Sequence, residues 1–219
     1  MDYYNTYTKY MQDQEAAARK RFQNHRATVV QRDENFFILD WRNVSGSVEY
    51  FARYILDIKR GTLVVSGDLG SCVASWYNTV QPEQLVGYLE DVPYFMGKFQ
   101  CSSDSYTYFS TDIKEDLDAI KAEYEPCDDQ EAMEMDDDFD SMLEMLDECD
   151  LDEQSSYPWV HCSLYPDELT ELFAKYDDEW WNSDFTTVGQ RISPRVILWS
   201  VGYRMAMQQL KEKETNENI

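Results

Sequence analysis

The stretch Asn35–Tyr77, NFFILDWRNVSGSVEYFARYILDIKRGTLVVSGDLGSCVASWY, decides the fold. It is dense in Val, Ile, Phe, Tyr and Trp, and short polar or glycine-containing breaks divide it. Asn35–Trp41, Ser47–Ile58, Thr62–Ser66 and Cys72–Tyr77 read as strands, with Thr28–Val30 as a further one upstream. The breaks are Asp33-Glu34, Ser45-Gly46 and Arg60-Gly61. Strands joined by such short loops pair with their sequence neighbours, which favours an antiparallel meander. Part of Ser47–Ile58 has a helical alternative, because Tyr50, Tyr54 and Ile58 also fall at steps of four.

Helices flank this sheet. Asp2–Gln23 carries Tyr3, Tyr7, Met11, Ala18 and Phe22 on one face, and its second half is basic (Arg19, Lys20, Arg21, then Arg26), which suits the negative end of a helix. Pro82 opens a helix over Glu83–Leu89, and Pro93–Gln100 reads as a short element. Further on, Pro166 starts a helix with Leu169, Phe173, Tyr176 and Trp180 on one face. Ser193-Pro194 starts another, whose Val196, Trp199, Tyr203, Ala206 and Leu210 mark the central buried helix over the sheet. Glu212–Ile219 reads as a polar tail expected to fray. The expected fold is α+β: an antiparallel meander covered by helices, with an acidic helical insertion. The expected division is 1–111, helix plus sheet; 112–153, acidic insertion; and 154–219, helices on the same core.

Charge is the anomaly of the 219 residues: 43 Asp and Glu against 19 Lys and Arg give −24. Such a balance argues against a direct grip on nucleic acid or an anionic membrane, which needs a basic footprint. The charge is local. Asp112–Glu153 holds 20 acidic residues and two basic ones, Lys114 and Lys121, so 18 of the 24 net charges lie there. Within it, Met135, Phe139, Met142, Leu146 and Cys149 recur at steps of 4, 3, 4 and 3, an amphipathic helix over Asp128–Asp150. Leu143 and Met145 widen the stripe. Asp is a mediocre helix former and the run Asp136-Asp137-Asp138 repels itself, so the stripe must dock on something.

The candidate partner-binding residues are the acids of that segment: Asp128, Asp129, Glu131, Glu134, Asp136, Asp137, Asp138, Asp140, Glu144, Asp147, Glu148 and Asp150. As a helix, these 23 residues span roughly 34 Å at ~1.5 Å per residue, and a nucleic-acid strand of that length carries about 10 phosphates. The 12 acids thus match the charge density of one strand. A basic nucleic-acid-binding groove on another protein is the expected counterpart; a solvated acidic face is the plainer alternative. Met135, Phe139, Met142 and Trp181 are candidate anchors, the first three with the option of docking on their own domain.

Other chemistry is thinly supplied. Ser66-Gly67-Asp68-Leu69-Gly70-Ser71 lacks the GK[ST] and GxGxxG phosphate signatures; it reads as a hairpin turn, or as a site in which Trp41 and Trp76 wall a pocket beside Asp68, with Asp40 a neighbouring carboxylate. His161 and Cys162 are adjacent, so on a strand they face opposite ways and make no nucleophile pair. His25 reads as structural. Asp136–Asp140 has no turn glycine and does not match a calcium loop. No cofactor or metal is expected, and no enzyme. Cys72, Cys101, Cys127, Cys149 and Cys162 are odd in number and form no CxxC, and Met1–Tyr10 shows no basic-then-apolar leader. A cytoplasmic address follows as an expectation.

Trp41, the string Leu63-Val64-Val65-Ser66-Gly67-Asp68-Leu69-Gly70, Trp76, Tyr94-Phe95, Lys98 and Cys101 together resemble a group of uncharacterised proteins from phages and prophages of Gram-positive bacteria. The resemblance spans Trp41–Cys101, about a quarter of the chain. It implies an origin in a mobile genetic element and assigns no catalytic residue. At the level of class, small and strongly acidic phage proteins are similar in purpose to anti-CRISPR inhibitors and DNA mimics. Their use of a host defence protein's nucleic-acid groove is what the likeness implies here. Two alternatives stand beside it: an interaction module using an aromatic surface around Trp180, Trp181, Trp41 and Trp76, and a metal-dependent enzyme centred on Asp68.

Overall fold

The computed structural model describes residues 3–46, 49–103, 105–149 and 165–217. The fold is α+β, and the chain divides into two compact units. One comprises Met11–Ser105 and Ser193–Ile219; the other comprises Met1–Tyr10 and Tyr106–Ile192.

The first unit is built on the meander read from the sequence. Strands β1 (His25–Arg32), β2 (Phe36–Asn43), β3 (Ala52–Asp57), β4 (Thr62–Gly67), β5 (Cys72–Ser75) and β6 (Phe99–Ser102) pair antiparallel in sequence order. Because side chains alternate along a strand, the register stacks Phe37, Leu56, Leu63 and Ala74 in one cross-strand row. Leu39, Tyr54, Val65 and Cys72 form the next row on the same buried face. Tyr54 therefore belongs to a strand: its partners on both sides fix it there, and the helical alternative for Ser47–Ile58 is overturned. Of that run, residues 47–48 lie outside the described residues, and Tyr50 sits in a turn at φ +57°.

Three helices, and the part of a fourth from Met11 onward, belong to this sheet unit. The helix α1 (Tyr3–Arg21) buries Ala18, with Phe22 just beyond its end; α2 (Pro82–Glu90) buries Leu85 and Leu89; and α3 (Val92–Met96) buries Phe95. The Ser193-Pro194 signal opens the long C-terminal helix (Pro194–Glu217), which puts Val196, Trp199, Tyr203 and Ala206 into the core. Tyr54 donates its hydroxyl to the Trp199 carbonyl at 2.9 Å. A Cβ at Gly202 would lie 2.6 Å from that hydroxyl, so only glycine permits so close an approach. The helix runs through Glu212 to Glu217, and residues 218–219 lie outside the described residues. The short element expected at Pro93–Gln100 divides into the end of α3 and the first two residues of β6.

The second unit has its own core. A short antiparallel pair, β7 (Tyr106–Tyr108) with β8 (Gln190–Ile192), joins three helices: α4 (Ser110–Lys121), α5 (Asp129–Glu148) and α6 (Asp167–Tyr176). The helix C-terminal to them, Pro194–Glu217, is then α7. Ile113, Leu117 and Ile120 of α4, Phe139, Met142 and Leu146 of α5, and Leu169 and Phe173 of α6 share one buried cluster with Phe185 and Val188. The boundaries thus differ from 1–111, 112–153 and 154–219. Leu169 and Phe173 meet α5, not the sheet, and α6 stops at Tyr176, leaving Trp180 in a 3-10 turn (Trp180–Asn182).

Charge follows this division. The unit containing α5 holds 28 acidic and 5 basic residues, a net of −23, and the sheet unit holds 15 and 14, a net of −1.

Candidate functional site

The acidic helix begins at Asp128, whose carboxylate accepts from the backbone N–H groups of Gln130 (3.0 Å) and Glu131 (2.9 Å). This is a side-chain N-cap, and Asp129 and Glu131 in the first turn add the favourable interaction of anions with the helix's positive end. Glu131 accepts in turn from the Cys127 N–H at 2.6 Å. Hydrogen bonds from the Cys127 side chain and N–H hold the Glu131 carboxyl below its ordinary range.

Docking of the apolar stripe offsets the repulsion along α5. Phe139, Met142 and Leu146 are buried, with Met135, Leu143, Met145 and Cys149 packed at the edge of the same cluster. The Phe139 ring meets Tyr176 edge-on at 5.1 Å and lies 6.3 Å from Phe185. Phe139 and Met142 are therefore not anchors for a partner; they close the core of their own unit. Met135 is half-buried. Trp181, by contrast, is 61% exposed.

What this leaves outward is carboxylate. Asp128, Asp129, Glu131, Glu134, Asp136, Asp137, Asp140, Glu144, Asp147 and Glu148 are all exposed, and Asp150 lies outside the described residues. Asp138 is different. It is half-buried and takes hydrogen bonds from the Lys175 ammonium and the Tyr176 hydroxyl (2.7 Å). Burial opposes its ionisation, but those two donors outweigh it and hold the carboxyl below the usual value. Tyr176 is pushed well up, by burial first and by the Asp138 carboxylate second. Lys121 reaches Asp136 at 2.5 Å. Among the described residues, Asp137, Asp140, Glu144, Asp147 and Glu148 have no ion-pair partner.

Asp68, Asp40, Trp41, Trp76 and His25 each have defined neighbours. Asp68 accepts from the Tyr50 N–H at 2.6 Å, bracing a turn beside Gly67. A Cβ at Gly67 would sit 2.1 Å from the Phe51 carbonyl oxygen. Asp40 faces Arg53 across β2 and β3 in a two-point ion pair, 2.6 and 2.8 Å. Trp41 is fully buried against Phe22 and His25, so it contributes to no surface; Trp76 is half-buried and stacks on Tyr88 at 5.6 Å. His25 is buried, and desolvation lowers its pKa below the usual value. His161 and Cys162 lie outside the described residues. Among the described residues no group of three metal-ligating side chains occurs, and the four cysteines are free thiols. No helix among them is long and apolar enough to cross a membrane.

One further constellation joins residues far apart in the chain. Arg191 of β8 is buried with Asp116 of α4, donating from both Nη atoms at 2.8 Å, and Asp112 lies 3.1 Å from its Nε. No protein-family model, curated protein or solved structure matches this chain.

Proposed function

We propose that this chain is a non-enzymatic inhibitor, of phage or mobile-element type, that occupies the basic nucleic-acid-binding groove of a host defence protein, of which a CRISPR effector nuclease is the example. The observation that carries the reading is the division of labour on α5: its apolar stripe is docked at home while ten carboxylates, nine on the helix and Asp128 at its N-cap, remain exposed. Twenty helical residues extend about 30 Å at ~1.5 Å each. Over that length the exposed acids approach the ~3.4 Å phosphate spacing of a single strand. Since the helix is already capped and packed, little ordering entropy remains to be lost on binding. Lysine and arginine side chains that normally hold phosphates would meet these carboxylates, and steering would make association fast and salt-sensitive.

The test is capture from host lysate at low and high salt by the native chain and by the variant D137N/D140N/E144Q, which leaves the Asp138 bridge intact. The native chain should retain a basic nucleic-acid-binding protein that added polynucleotide displaces, and the variant should lose it. Exposure of Trp181 favours a second reading, an interaction module that binds through aromatic surface. Retention by the charge variant together with loss on Trp181→Ala would select that reading.

A further inference from the structure

A cavity of about 260 Å³ opens beside the N-terminal half of the acidic helix, lined by α5, by the end of α6 and by the loop that joins α4 to α5. Pockets for drug-sized molecules begin at about 300 Å³, so this one has room for a group the size of a single side chain. Its walls are of two kinds. Tyr124 of the loop and Tyr176 of α6 are half-buried and meet edge to face, their ring centres 5.4 Å apart. Met135 of α5 continues that side. The other side is carboxylate. Glu131 and Glu134, three residues apart, share one face of α5, and Glu125 adds a third acid from the loop.

The charges here do not cancel. Lys175 is the basic group of the lining, and Asp138 takes it up. Glu125, Glu131 and Glu134 have no ion-pair partner among the described residues, so three negative charges are left over. Glu131 accepts from the Cys127 N–H and Glu134 from the Gln130 side-chain amide at 3.0 Å, neither of which neutralises a carboxylate. Acids outside the lining add to the field: burial first, then Asp177, Glu123 and Asp184, hold the Tyr124 hydroxyl above its ordinary range. Among the described residues no three ligating side chains converge on one point, so the charge does not suit a bare metal ion. It suits a cation spread over several atoms. Aromatic faces attract such a cation through the ring quadrupole, and carboxylates accept its N–H groups. Guanidinium matches best, being planar, more weakly hydrated than an ammonium and forked to reach two acceptors.

We propose that this cavity receives one arginine side chain of the basic partner, with the guanidinium on the Tyr124 ring and its N–H groups toward Glu131 and Glu134. The partner as source of that arginine rests on the function proposed above; the cavity's preference for guanidinium does not. Asp137, Asp140 and Glu144 are not in the lining, so D137N/D140N/E144Q leaves the cavity intact.

Titration of the whole chain with the tripeptide acetyl-Gly-Arg-Gly-amide, and with its lysine and citrulline counterparts, tests this through the NMR ring signals of Tyr124 and Tyr176. The arginine peptide should saturate with a Kd on the order of 1 mM. The lysine peptide should bind several-fold more weakly, and the citrulline peptide, similar in shape but uncharged, should not saturate. Glu125→Gln and Glu134→Gln should each weaken arginine binding a few-fold. Tyr124→Leu should weaken it about threefold, the loss expected of one exposed cation–π contact. D137N/D140N/E144Q should leave it nearly unchanged. Glu125 and Glu134 are exposed, so their variants decide the matter even if Tyr124→Leu loses its fold. Absence of saturation by arginine, equal binding of lysine or citrulline, or indifference to both glutamate substitutions would overturn the proposal. Saturation by arginine with nothing captured from host lysate would keep the guanidinium site and overturn the proposed function. Capture that D137N/D140N/E144Q abolishes, with no saturation by arginine, would do the reverse.

Discussion

Arg191 and Asp116 are each 1% exposed, so the α5 unit holds a full ion pair away from water. The pair stands because its hydrogen bonding is nearly complete: Asp116 receives both Nη atoms and the Gly189 N–H at 2.7 Å. Removing Asp116 leaves the buried Arg191 guanidinium with only the partly exposed Asp112 at its Nε. Asp116→Asn should therefore cost about 3–5 kcal/mol in chemical denaturation, while the double replacement Asp116→Leu with Arg191→Met should cost much less. His25 makes a different demand, being buried against Trp41 with a folded pKa below its unfolded value near 6.5. Below that value the unfolded chain binds the proton more readily, so stability present above about pH 6.5 is lost as pH falls toward the folded pKa. Denaturant midpoints followed by tryptophan fluorescence should drop between about pH 7.5 and 5.5 in the native chain and hold nearly level in His25→Phe. His25 reads as structural in the sequence and is buried, whereas the Arg191–Asp116 pair carries no mark there. Arg191 and Asp116 are 75 positions apart, and only the closing of β8 beside α4 brings them together.

On α5 the two faces can be separated by substitution. Phe139→Ala removes a ring from the centre of the buried cluster and should destabilise that unit by about 3–5 kcal/mol. Charge removal should act in the opposite sense. Asp136 and Asp140, Asp140 and Glu144, and Glu144 and Glu148 are like-charge neighbours one turn apart, each pair unfavourable by ~0.2–0.5 kcal/mol. D137N/D140N/E144Q should thus match or exceed the native chain in thermal stability and helical circular dichroism, even as partner binding falls. The stripe itself was plain in the sequence, because Met135, Phe139, Met142 and Leu146 repeat within a single helix. Its direction was not. Whether Phe139 turns home or outward depends on Leu169, Phe173 and Phe185, which lie far along the chain and carry no local mark of that role. The same limit left a helical alternative open at Tyr54, which Leu39 and Val65 across the sheet decide in favour of the strand, and left the type of the short element at Pro93–Gln100 open, where α3 gives way to β6.

At the scale of the molecule, the two units differ by 22 net charges, −23 against −1, and this segregation is what the chain's composition amounts to once folded. Self-repulsion in the α5 unit is screened by salt, the Debye length being about 10 Å at ~0.1 M. Hydrogen exchange should accordingly show α5 amides gaining protection between ~20 mM and ~300 mM salt, with β2–β4 unchanged. The same screening acts on binding. The association constant for the basic nucleic-acid-binding protein captured from host lysate, measured against salt for the native chain and for D137N/D140N/E144Q, tests the central claim most directly. Native affinity should fall steeply as salt rises, and the variant should bind more weakly with a distinctly shallower slope. Equal affinities lying on parallel slopes would contradict the claim that these carboxylates stand in for a polynucleotide strand.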